Sequence, residues 1–106
     1  MTRGAASPEE LELLLEDAIL LGDAEAIDAL FTSGGTLAAG ELRPVGRGPE
    51  MFKVLSSRNE GYVGGSTRIV QARRTALIIG KDAISVARRS RDGSWRFAIC
   101  SLVACG

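Results

Sequence analysis

The stretch RRSRDGSWRFAIC, residues 88–100, decides how this chain folds. Arg91-Asp92-Gly93 is a turn signal between two runs that read as strands, and an Asp-Gly pair there marks a hairpin. Downstream, Trp95, Phe97, Ile99 and Val103 alternate onto one face of a strand over 94–104. The opposite face, after Arg96, is Ala98, Cys100, Leu102 and Ala104. A strand that is apolar on both faces is covered on both. Upstream, residues 83–90 form the partner strand, and Gly80-Lys81-Asp82 turns into it from residues 67–79. That segment reads as one long strand, bent by a bulge near Arg73-Arg74 where the alternation slips.

Before Ser66 the period is helical. Ser7-Pro8-Glu9-Glu10 opens a helix over 7–21, with serine at the N-cap, proline at N1 and glutamate at N3. Leu11, Leu14, Leu15, Ala18 and Ile19 make its apolar stripe, and Gly22 stops it. Asp23 caps a second helix over 23–32, which Ser33-Gly34-Gly35 ends. Thr36 to Ala39 reads as a short strand, with Glu41 to Val45 continuing it or turning away. Pro49 starts a third helix over 49–59 that presents Met51, Phe52, Val54 and Leu55. Helices followed by a run of antiparallel strands make an α+β protein. Residues 1–6 read as a disordered tail, and 7–106 as one domain.

Composition narrows the function classes. The chain has 106 residues, enough for one modest core. It contains no histidine, so the commonest general base and the commonest metal ligand are both missing. Two cysteines alone make no zinc site, and no metal or cofactor is expected. Cys100 and Cys105, five apart on one strand, would stand about 16 Å apart, beyond the ~7 Å reach of a disulfide. Two reduced thiols and an acidic N-terminal region in place of a signal peptide lead us to expect a cytoplasmic protein outside the membrane. Formal charge sums to zero, yet residues 1–42 hold nine acids against Arg3 alone, and residues 43–106 hold twelve bases against four acids. That layout reads as an acidic helical layer on a basic sheet, or as a basic half that receives an anion. The basic–aromatic repeat of a nucleic-acid platform is absent, and no nucleic acid is expected.

The segments GDAEAIDALF (22–31), VGRGPEMFKVL (45–55) and RDGSWRF (91–97), in that order, resemble the NTF2-like superfamily, and within it the SnoaL-like and DUF4440-type small proteins. The resemblance spans roughly residues 7–102. It implies a cone, in which a curved antiparallel sheet wraps around the N-terminal helix and leaves a pocket at the open end. It also implies dimers through the outer sheet face. Some members are enzymes, such as ketosteroid isomerases, polyketide cyclases and limonene epoxide hydrolase, whereas others only bind. This chain departs from the pattern in three places. Ser33-Gly34-Gly35 replaces an acidic pair, Cys100 stands where close relatives carry aspartate, and one hairpin looks absent between Ile79 and Ser90.

The ligand-facing set is then Phe31, Glu41, Arg43, Phe52, Tyr62, Arg68 and Cys100. Glu41 and Arg43 share a face at the pocket rim, as a surface ion pair or as a polar anchor. Arg68, Arg73 and Arg74 reach outward to solvent, or one turns into the cone to meet a carboxylate or phosphate. Tyr62, in a glycine-rich loop, closes over the pocket or plugs the surface. Cys100 reads as a small buried packing residue; a nucleophile would need nearby positive charge, and only Arg96 lies on its face. These residues favour a non-catalytic ligand-binding or assembly module whose pocket takes a small, largely apolar or amphipathic molecule. The alternative is an isomerase, cyclase or epoxide hydrolase with Glu41 as its acid/base and Tyr62 or an arginine as its electrophile. On either reading, three helices cover only one sheet face, so the other is expected to be buried in a homodimer.

Overall fold

The computed structural model describes residues 4–39, 43–57, 68–80 and 83–102. In chain order the elements are α1 (Pro8–Leu21), α2 (Ala24–Ala29), β1 (Phe31–Ala39), β2 (Arg43–Val45), α3 (Pro49–Ser57), β3 (Arg68–Ala72), β4 (Thr75–Ile79), β5 (Ala83–Arg89) and β6 (Trp95–Leu102). The strands form one sheet in the order β2-β1-β6-β5-β4-β3, and the helices pack on one of its faces. The fold is α+β, as the change of period at Ser66 predicts.

Local chemistry sets the helix ends. Ser7 Oγ accepts from the Glu10 N–H at 3.1 Å, while Glu10 Oε1 accepts from the Ala6 N–H at 3.1 Å. Gly22 closes α1 at φ 68°, in the left-handed region where a glycine carries no Cβ penalty. Asp23 Oδ1 caps α2 through the Ala26 N–H at 3.0 Å. Leu11, Leu15, Ile19 and Ile27 face the core and are essentially buried.

Five sequence expectations change. The second helix ends at Ala29, because Phe31 already belongs to β1 and pairs with Phe97 of β6. The sheet is mixed: β1 runs parallel to β6, and every other neighbouring pair is antiparallel. A parallel pair needs a long crossover, and here the whole of β2 to β5 supplies it. Residues 67–79 do not form one bent strand. Ala72 pairs with Thr75, so Arg73-Arg74 is the two-residue turn of a hairpin and no hairpin is missing from the sheet. Lastly, Gly4–Ala6 are not a loose tail. Ala5 is buried and bridges Trp95, whose backbone N–H donates to the Ala5 carbonyl at 2.8 Å.

The fifth change concerns the faces of β6. Val86 pairs with Ile99 but Ala87 with Phe97, so Ala98 is an extra residue, a bulge that shifts the alternation. Trp95, Phe97, Cys100 and Leu102 consequently all face the core, while Ile99 is 49% exposed on the outer face. The strand is not apolar on alternate residues throughout. Its apolar half-faces are joined by a one-residue slip.

A second irregularity sits in β1. Between the Phe31↔Phe97 and Thr36↔Ile99 pairs, β1 advances five residues and β6 two, so Thr32–Gly35 contains three extra residues. At Gly35 a Cβ would lie 2.7 Å from the Phe97 carbonyl oxygen and 3.0 Å from that of Thr32. Both are backbone atoms, which cannot swing aside. Gly35→Ala is expected to destabilise the fold by about 2 kcal/mol, read as a lowered urea midpoint at unchanged slope. Gly34→Ala, where nothing lies within 4 Å, serves as the neutral control.

Candidate functional site

The strand register builds a row across the helix-covered face of the sheet, the side that the NTF2-like resemblance makes concave: Ile69, Ile78, Ser85, Cys100, Leu37 and Val45, each paired with the next. Ser85 and Cys100, each 2% exposed, occupy its centre. Met51 and Leu55 of α3 and Leu11 and Leu15 of α1 belong to the same core cluster. The centre of the concave face is therefore a hydroxyl and a thiol side by side in an aliphatic setting. Among the described residues the buried polar side chains are Ser85 and Ser94, and neither is a carboxylate.

That arrangement limits the chemistry. A serine or cysteine nucleophile needs a base or a cation to depress its pKa. Arg96 lies on the outer face with Arg88, its cross-strand partner, and so turns away from Cys100. What the pair offers instead is a small polar contact within an apolar floor. Cys100 is in no disulfide, and its burial makes native-state alkylation slow. Labelling at neutral pH is expected to accelerate by orders of magnitude on unfolding in urea, read by thiol-reactive dye kinetics; equal rates in the two states would reverse the assignment. Cys105 lies outside the described residues.

The sequence-predicted residues separate. Phe31 is a core residue, its ring centroid 5.3 Å from that of Phe97 and tilted by 42°. Phe52, half-buried on α3, packs against the core cluster. Arg68 pairs with Ile79 on the outer face, opposite to Cys100. Arg43 pairs with Ala39 in β2, and its side chain lies outside the described residues, as do Glu41 and Tyr62.

Sequence reading missed Arg47. It stands in Gly46-Arg47-Gly48, a stretch too short for a phosphate loop, and it binds the protein's own backbone. Its Nε donates to Asp28 Oδ1 at 2.7 Å, Nη1 to the carbonyls of Thr32 (2.9 Å) and Gly35 (3.0 Å), and Nη2 to the carbonyl of Asp28 (3.1 Å). The guanidinium also lies 5.6 Å from the centre of the Phe31 ring, a cation–π distance. One side chain thus joins α2, the bulge of β1 and the loop before α3. Ser85 was legible in principle, as the polar residue among the inward positions Ala83, Ser85 and Ala87.

No family model matches the chain, and no curated protein does. Solved structures match along nearly its whole length. An NTF2-like protein from Cytophaga hutchinsonii superposes with a TM-score of 0.65 at 14% identity, covering 92% of this chain and 94% of that one. The chain has the NTF2-like fold. ActVI-ORFA from Streptomyces coelicolor has the same fold at a TM-score of 0.61 and 16% identity, over 90% of this chain and 92% of its own. A ketosteroid isomerase-like protein from Erwinia carotovora atroseptica matches at 0.57 and 18%, over 92% and 94%. In the NTF2-like fold the row through Ser85 and Cys100 is the wall beneath the helices, and among the described residues no element covers the opposite face.

Proposed function

We propose that this chain is a non-catalytic NTF2-like module of the SnoaL-like, DUF4440-type kind: a homodimer through the outer sheet face, with a concave side that takes a small, largely apolar molecule. The observation that carries this reading is the contrast between the two faces. Among the described residues, the concave face has no buried acid or base to move a proton, while the outer face presents exposed aliphatic side chains. On this reading the Ser85 hydroxyl, buried beneath the helices in the free protein, is the group that would meet the polar end of an amphipathic ligand, and the aliphatic neighbours supply the area. Cys100, outside any disulfide, fits a cytoplasmic protein.

A panel of small apolar and amphipathic acids tests the binding half. A ligand that binds only the folded state at a hundredfold excess over Kd is expected to add about 2.7 kcal/mol, read as a rise in Tm. Ser85→Ala weakens the response to members that carry a polar group, and Glu41→Gln leaves it intact. A panel with no responder removes the ligand-binding reading. Turnover of an epoxide or enolisable ketone that Glu41→Gln abolishes would establish the enzyme alternative in its place.

A further inference from the structure

The turn end of the sheet gathers arginines from three neighbouring segments. Arg73 and Arg74 form the β3–β4 turn, Arg88 and Arg89 end β5, and Arg91 follows in the next turn. All five are exposed. The register holds them together: Thr75 pairs with Arg88, the Arg89 N–H donates to the Arg74 carbonyl at 2.8 Å, and Arg88 pairs with Arg96. With strands about 4.8 Å apart, the cluster spans on the order of 10–15 Å.

Two features of this end work against stability in the free protein. Arg73 holds φ 44°, in the left-handed region that favours glycine or asparagine. Arg88 and Arg96 stand directly opposite each other on one face, and like charges in that relation repel. Arg96 is compensated, because its Nη1 donates to Ser90 Oγ at 3.0 Å and Ser94 Oγ at 2.7 Å, and its Nη2 lies 3.7 Å from Asp92 Oδ2. Asp92 is already engaged, its Oδ1 accepting from the Ser94 N–H and hydroxyl, contacts that hold its carboxyl below the usual range. Among the described residues no carboxylate pairs with Arg73, Arg74, Arg88 or Arg91. Strain and repulsion gathered at one exposed spot are features that persist where a ligand uses them.

We propose that this turn end is a docking surface for an acidic segment of a partner protein. Arg88 leans to the outer side of β5 and Arg89 to the helix side, with Arg73, Arg74 and Arg91 in the turns between. Guanidinium forks thus line both sides of this end and match a run of Asp and Glu side chains laid across it, each able to accept two parallel hydrogen bonds. Single-stranded nucleic acid would also need aromatic platforms, but Phe31, Trp95 and Phe97 are buried. A bilayer would need apolar side chains at the tip; the tip carries exposed arginines instead, and the nearest outward aliphatics, Leu77 and Val86, stand two residues behind Thr75 and Arg88. The surface is separate from the concave face and needs nothing from the reading of that site.

Fluorescence anisotropy of a labelled oligoglutamate peptide tests the proposal, with a thymidine oligonucleotide and phosphatidylserine vesicles as competitors. The wild-type protein is expected to bind the peptide and to lose at least about tenfold in affinity between low and high salt. Combining Arg73→Gly, Arg74→Ser and Arg88→Thr is expected to weaken binding about tenfold or more while raising the Tm of the free protein by roughly 4 °C. Arg74→Lys with Arg88→Lys retains binding to within about threefold, and sedimentation shows the same oligomeric state for every variant. The proposal fails if the peptide does not bind at low salt, or if the triple variant binds it as well as wild type. Tighter binding of the oligonucleotide or the vesicles than of the peptide overturns it too.

Discussion

Replacing Ile99 with glutamate is expected to convert the proposed homodimer into a folded monomer. Val70, Leu77, Val86 and Ile99 form a cross-strand row on the outer face of the sheet, and Ile79 pairs with Ile84 in the adjoining row. Val70 is 61% exposed and Ile84 43%, so the aliphatic surface spreads over four strands with little of it covered by the chain itself. A patch of this kind is usually buried in an assembly, and a copy of the same face is the simplest closed solution. An unpaired carboxylate buried in such an interface costs about 3–5 kcal/mol, and symmetry introduces two. The dimer is therefore expected to weaken by a factor of at least about a thousand. Leu102→Glu provides the contrast: Leu102 is buried on the concave face, so its substitution is expected to unfold the chain rather than part the dimer. Sedimentation equilibrium with circular dichroism separates the outcomes. A wild-type monomer at high micromolar concentration, or an unchanged Ile99→Glu dimer, would remove the outer face as the interface.

That contrast depends on a feature the sequence hides. Strict alternation along residues 94–104 puts Ile99 with Phe97 and sets Cys100 against them. The bulge at Ala98 reverses both assignments, and nothing in Phe-Ala-Ile-Cys marks a bulge, because all four side chains are tolerated on either face. The same limit explains Arg73-Arg74. The slip in alternation was visible, but two-residue hairpins usually announce themselves with glycine or asparagine, so an Arg-Arg turn reads as a kink. Where local chemistry is specific, the reading holds: Ser7, Gly22, Asp23 and the Asp92-Gly93 turn each stand where their caps and turns require. The order of helices and strands follows from them. The parallel β1–β6 pair does not, because it joins segments more than sixty residues apart and no local signal records it. Of the candidate site, the burial of Cys100 was legible from its apolar surroundings and the inward place of Ser85 from the alternation of β5, whereas the pairing of the two needed the register.

Arg47→Ala is expected to lower the stability of the fold by about 2–3 kcal/mol. The guanidinium donates four hydrogen bonds, and three of them end on backbone carbonyls at the α2–β1 junction and the β1 bulge. The Thr32 and Gly35 carbonyls lie in the stretch that three extra residues in β1 take out of register with β6, whereas the Asp28 carbonyl belongs to the end of α2. Full strength is not expected from the ion pair itself: the side chains of Arg47 and Asp28 are 34% and 42% exposed, so water screens their attraction. The geometry of the fork carries the remainder. Arg47→Lys keeps the charge but not the planar set of donors, and is expected to recover less than half of the loss. Asp28→Asn, which keeps an acceptor at the same atom, is expected to cost under about 1 kcal/mol. Urea denaturation of the three variants orders them. If lysine restores wild-type stability, charge rather than the fork holds this junction, and the bulge of β1 must be stabilised by Gly35 and its close packing against Phe97 alone.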